Sequence, residues 1–107
     1  MAYYMIQTGF TSDAWAAMLK NPQNRADQVR PIIEKLGGKL ESYWSCFGEY
    51  DNVLIVQAPD NVGAAALVLA AAAGGALRGS KTTPLMTMDE TIEALKRAGK
   101  AGYKAPV

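Results

Sequence analysis

Trp44-Ser45-Cys46-Phe47-Gly48-Glu49-Tyr50-Asp51-Asn52-Val53-Leu54-Ile55-Val56 is the stretch on which the fold turns. Two runs of aromatic and β-branched residues flank a short polar break that contains a Gly. This pattern predicts a β-hairpin with a connection of about three to five residues. The residues before it read as strand then helix, and those after it as helix then strand.

Upstream, Lys39 to Phe47 forms the first arm of the hairpin. Strict alternation would point Leu40, Ser42, Trp44 and Cys46 one way, and Glu41, Tyr43, Ser45 and Phe47 the other. Tyr43 and Trp44 therefore face opposite sides, so at most one of them can line a given pocket. Tyr3 to Thr8 is the first strand of the chain, ending at Gly9; its weak alternation indicates burial on both faces. Thr11 or Ser12 caps a short helix through Trp15, Met18 and Leu19. Asn21-Pro22 reads as the cap and first position of a second helix. Ala26, Val29, Ile33 and Leu36 make its buried stripe, Pro31 is expected to kink it near Asp27, and Gly37-Gly38 end it.

Downstream, Asn52 to Ala58 is the second arm, closed by Pro59. Asp60 or Asn61 caps an Ala-rich helix to about Ala73, with Leu67 and Val68 as its larger packing groups. Leu77 to Met86 is a fourth strand in which Pro84 marks an edge or a bulge. Thr87 and Glu90 form a capping box for a last helix that ends at Gly99. The order is β-α-β-β-α-β with extra short helices, an α+β ferredoxin-like plan. Residues 1–98 form one domain and 99–107 a C-terminal tail. No strand has a clean polar face, and the aromatic and aliphatic residues exceed what two helices can cover. An apolar patch of that kind marks an interface, so two sheets are expected to pack face to face in a dimer or larger assembly.

Composition excludes several classes. The chain has 107 residues, half of them apolar, which suffices for one cored domain. Its net charge of +1, with no basic stripe, argues against nucleic acid. Its longest apolar run, Val53 to Leu77, is broken by Gln57, Pro59, Asp60 and Asn61, which argues against a membrane span. The single cysteine, Cys46, admits no internal disulfide and suits a reducing cytoplasm. Histidine is absent, which removes the commonest metal ligand and general base.

The chain resembles the GYD-domain family of small bacterial proteins. The resemblance rests on Glu34-Lys35-Leu36-Gly37-Gly38-Lys39, Tyr43-Trp44, Phe47-Gly48-Glu49-Tyr50-Asp51, Ala58-Pro59-Asp60 and Thr82-Thr83, within a pattern running from about Tyr3 to Ala98. It implies a ferredoxin-like fold of the dimeric α/β-barrel type and says little about activity. Fold likeness alone transfers no chemistry.

The candidate chemistry is sparse. Gly48-Glu49-Tyr50-Asp51 could present a phenol and a carboxylate at a pocket mouth, although Gly and Asp are also ordinary turn residues. Cys46, without a His to activate it, reads as a buried hydrophobe in a strand. Arg78 and Lys81 are the only cations between Lys39 and Lys96 and could hold an anion or end a strand in solvent. Gly74 to Lys81 lacks P-loop spacing and runs from helix to strand, the reverse of a phosphate loop. The expected ligand-binding set is Tyr43 as an aromatic wall, Tyr50 as a donor, Asp51 as base or acceptor, and Arg78 as an anion anchor. The expected function is binding of a small organic molecule without metal or cofactor, with catalysis open. The alternative is a structural or interaction oligomer. Chelators are expected to leave the fold unchanged, and a stoichiometric transition metal in elemental analysis would contradict this.

Overall fold

A computed structural model describes residues 1 to 106. The strands are β1 (Ala2–Phe10), β2 (Lys39–Ser45), β3 (Asn52–Ala58) and β4 (Leu77–Leu85). The helices are α1 (Ser12–Lys20), α2 (Arg25–Lys35), α3 (Asn61–Ala73) and α4 (Met88–Gly99). The strands form one antiparallel sheet in the order β2-β3-β1-β4. This is the α+β ferredoxin-like plan, with α1 and α4 as its additional helices. Among the described residues no helix is long and apolar enough to cross a membrane.

The core lies on one face of the sheet. Tyr4 and Ile6 of β1 and Leu54, Val56 and Ala58 of β3 point toward α2 and α3, which supply Ile33, Ala64 and Leu67. Ile33 and Val56 are the largest side chains fully removed from water, and burying each stabilises the fold by about 1.5–3 kcal/mol. Alanine-rich α3 brings its backbone close to the sheet. Its N-terminus is capped by the Asp60 carboxylate, which accepts the Gly63 N–H at 2.9 Å. At the end of α2, Gly37 takes a φ of +83°. Gly38 then passes so near β3 that a Cβ there would stand 2.5 Å from the Gln57 carbonyl.

Several local expectations are corrected. β1 continues through Gly9 to Phe10, and β2 stops at Ser45, leaving Cys46 to Asp51 as a longer connection closed by Cys46 N–H donating to Asp51 O at 2.9 Å. Cys46 is thus half-buried in a loop rather than deep in a strand, and its thiol donates to the Tyr50 carbonyl at 3.2 Å. α2 begins at Arg25, because Asn21 caps the C-terminus of α1 while the Asn24 side chain accepts the Ala26 N–H at 3.0 Å. α2 continues through Pro31, whose missing N–H deprives only the solvent-exposed Asp27 turn. The edge expected from Pro84 is found: it lies on β4, an edge strand, where no second neighbour needs its N–H.

Strict alternation in β2 also fails. The register passes from Leu40 opposite Val56 to Ser42 opposite Ile55, so Glu41 is an extra, bulged residue. Leu40, Tyr43 and Ser45 therefore share the helix-covered face, while Ser42 and Trp44 take the other. That second face is bare, with Tyr3, Met5, Val53, Ile55 and Trp44 at its centre, and Trp44 is 65% exposed.

A second irregularity falls between Gly9 and Phe10, where β4 loops Arg78 out of register. Asp51 closes this point. Its N–H donates to Thr8 O at 2.8 Å, and its carboxylate accepts the Phe10 N–H at 2.8 Å. The Arg78 guanidinium lies 3.5 Å from the same carboxylate and donates to Glu49 O at 2.7 Å. It lies across Gly9, where a Cβ would come within 2.5 Å of its Cζ.

Replacing Asp51 by Ala leaves a buried N–H without its charged acceptor and is expected to cost about 1.5–3 kcal/mol. Asp51→Asn keeps an acceptor and loses only the half-exposed ion pair, worth at most about 1 kcal/mol. Denaturant melts of the two variants should rank them in that order; equal losses would show that the Phe10 N–H bond is not what matters.

Candidate functional site

The glutamate bulge turns Tyr43 under the helices, and there it meets a polar chain that crosses three strands. The Tyr43 hydroxyl donates to Asn52 Oδ1 at 2.9 Å, and Asn52 Nδ2 donates to Thr8 Oγ1 at 3.1 Å. Asn52 and Thr8 are both buried. Beyond this chain the sheet is not fully covered, because α1 and the 21–24 connection stand off from β2. The result is an open cleft of about 500 Å³.

Its walls come from separate elements. Phe10 at the end of β1 and Trp15 of α1 meet edge to face, with centroids 5.3 Å apart and planes at 84°. α1 is held in place by its Thr11 cap, which accepts the Ala14 N–H at 3.1 Å, and by Thr11 N–H donating to Ala76 O at 2.9 Å. Tyr43, Ser45 and Asn52 form the sheet-side floor, and Arg25, the first residue of α2, stands on the opposite wall. Phe10, Arg25 and Tyr43 also bound a smaller, apolar chamber of about 70 Å³ beneath α3. The outer cleft falls within the size range of small-molecule sites, roughly 300–1,000 Å³; the inner chamber does not.

Arg25 and Tyr43 are the ionisable side chains of the cleft. Arg25 donates to the Gln28 side-chain oxygen, and its Nε is buried without a partner. Burial pushes the Tyr43 phenol above its usual value, and the Arg25 guanidinium partly opposes the shift. The phenol therefore stays protonated at neutral pH, able to give or take a hydrogen bond but not to act as a base. Among the described residues no group of three or more Cys, Asp or Glu side chains is gathered to hold a metal ion.

The four residues expected to bind ligand do not form one site. Tyr43 lines the cleft; Tyr50, Asp51 and Arg78 do not. Asp51 and Arg78 pair at the sheet end, and Tyr50 stands in the β2–β3 connection, where its carbonyl takes the Cys46 thiol. Sequence reasoning passed over Arg25, Asn52, Trp15 and Phe10. A signal for Arg25 was present: Asn24 with Asp27 three residues on is an N-terminal cap pattern. With the helix starting there, Arg25 falls one turn before Val29 on the inward face.

The raised Tyr43 value has a signed consequence. The phenol's contribution to stability is complete below its unfolded value near 10 and is lost as pH rises through the higher folded value. Tyr43→Phe should cost about 1 kcal/mol at neutral pH, through the lost bond to Asn52. It should also flatten the alkaline fall in stability, as read by denaturant melts from neutral pH to beyond pH 10.

Solved structures share the fold at low identity. MtbAldR superposes with a TM-score of 0.55 at 19% identity, over 80% of this chain and 52% of its own, so this chain spans about half its length. TTHA0845 from Thermus thermophilus gives a TM-score of 0.53 at 15% identity, over 81% of this chain and 95% of its own. FFRP-DM1 gives 0.50 at 11% identity, over 80% of this chain and all of its own. No curated protein sequence matches the chain. The family model described as the GYD domain matches residues 4–95, nearly the whole of the ferredoxin-like unit, and the chain belongs to the GYD domain family.

Proposed function

We propose that this domain binds a small, largely apolar organic molecule in the cleft beside Tyr43, and that it works as an assembly of identical copies. The observation that carries the binding role is the cleft itself: aromatic and aliphatic walls, with a few polar groups converging from β2, β3 and α2. Ligand sites have this composition. The nucleophile types that line it are the hydroxyls of Ser45 and Tyr43, and no carboxylate, Lys or His lines it to activate them. Holding a ligand is therefore the better supported role.

Self-association is supported by two surfaces. The bare sheet face carries a contiguous set of large apolar side chains where water would otherwise meet Met5, Ile55 and Trp44. α4 buries none of its residues, and Met88, Ile92 and Leu95 form one exposed stripe along it. The molecule is correspondingly long, with a radius of gyration of 17.3 Å against about 13 Å for a compact chain of this length. A second copy seated on the sheet would cover this apolar surface. The same surfaces favour a second reading, an oligomer whose role is purely structural.

Native mass spectrometry of the protein as isolated separates the readings. A bound small molecule that is lost in Ser45→Trp, which fills the cleft from the β2 side, supports the binding role. A molecule retained in that variant places the site elsewhere. Ile55→Lys puts a charge at the centre of the bare face and is expected to yield a folded monomer in light scattering. An unchanged assembly would remove the sheet face from the interface.

A further inference from the structure

The cleft has an uncompensated charge. Arg25 brings one full positive charge to its wall, and among the described residues no carboxylate lies within ion-pair distance of it. Its one side-chain partner is a neutral amide, that of Gln28, and the Nε donor is buried with nothing to receive it. No Asp or Glu lines the cleft, and the nearby Asp51 carboxylate is already engaged by the Phe10 N–H and Arg78. The sealed Nε carries its cost whether or not the cleft is filled, but the charge on the remaining guanidinium N–H groups has no acid to offset it, and an anion in the cleft would be received there.

The rest of the cleft restricts which anion fits. A guanidinium presents a flat fork that matches a carboxylate with two parallel bonds. A phosphate or other multiply charged group would call for further cations, and Arg25 is the only one on the walls. Phe10, Trp15 and Tyr43 supply aromatic surface, which suits a flat ring system. The Tyr43 hydroxyl is spent as a donor on Asn52 but keeps acceptor capacity toward a polar substituent.

We infer that the cleft is built for a planar aromatic or conjugated monocarboxylate, with its ring against Phe10, Trp15 and Tyr43 and its carboxylate on Arg25. This deepens the proposed function and rests on the cleft being a ligand site. Arg25 is a specificity residue here: it selects charge, while the aromatic walls select shape.

Three probes of one shape and different charge test it: naphthoate, neutral naphthamide and cationic naphthylmethylamine. Binding is read by Trp15 fluorescence in a Trp44→Phe background, since Trp44 lies on the opposite face of the sheet. Naphthoate should bind about tenfold or more tightly than naphthamide, and the amine most weakly. Arg25→Gln should erase the preference for naphthoate over naphthamide, with the fold verified by circular dichroism. The order among the three probes in the Arg25 protein is itself decisive should that variant fail to fold. Equal binding of naphthoate and naphthamide would overturn the charge inference and leave the cleft as a neutral site. Preference persisting in folded Arg25→Gln would also overturn it. Binding of none of the probes would overturn the cleft reading together with the inference.

Discussion

The Asp51 carboxylate is where the hairpin, the first strand and the last strand are tied together. β1 runs past the end of β3, so the Phe10 N–H has no strand partner on that side, and a buried N–H without one is costly. Asp51 supplies the acceptor from the β2–β3 connection, and Arg78 reaches over Gly9 to neutralise it. The arrangement fixes Phe10, and with it the aromatic wall on which Trp15 rests. It also fixes the neighbouring Asn52, which holds Tyr43 from β3. A short acidic turn motif thus organises the cleft without lining it.

Two bulges place side chains that regular strands would place elsewhere. Without the extra Glu41, Tyr43 and Leu40 would lie on opposite faces, and either the core or the cleft would lose its residue. Without the slip at Gly9 and Phe10, Arg78 would be an ordinary edge-strand cation instead of a partner for Asp51. Both irregularities lie beside the cleft or its supports rather than at the helix-covered centre, where β1 and β3 pair without interruption from Ala2 to Thr8.

The molecule divides its apolar surface into three parts. One is buried beneath α2 and α3 and stabilises the fold. A second lines the cleft, open to solvent on one side. The third, on the bare sheet face and along α4, is left half-buried or exposed. The charge pattern separates these parts as well: ordinary surface pairs such as Arg97 with Glu93 are satisfied in solvent, whereas Arg25 faces the cleft without an acid.

The sequence by itself determined the order of elements, the two covering helices, the capping box at Thr87 and Glu90, and the surplus of apolar strand residues. Each depends on local periodicity or on hydrogen bonds spanning a few residues, which are written in adjacent positions. Tyr43 and Trp44 facing opposite sides was legible for the same reason. The tertiary structure alone decided which side was which. One bulged residue at Glu41 shifts half of β2 relative to the other half, and its position depends on pairing with β3, not on β2 itself. Arg25 entered the cleft for a similar reason: competition between Asn21 and Asn24 for the cap was resolved by where α1 ended and where α2 had to pack. The joining of Asp51 to Phe10, 41 positions apart in sequence, has no local signature at all, because it exists only when β1, β3 and β4 lie side by side.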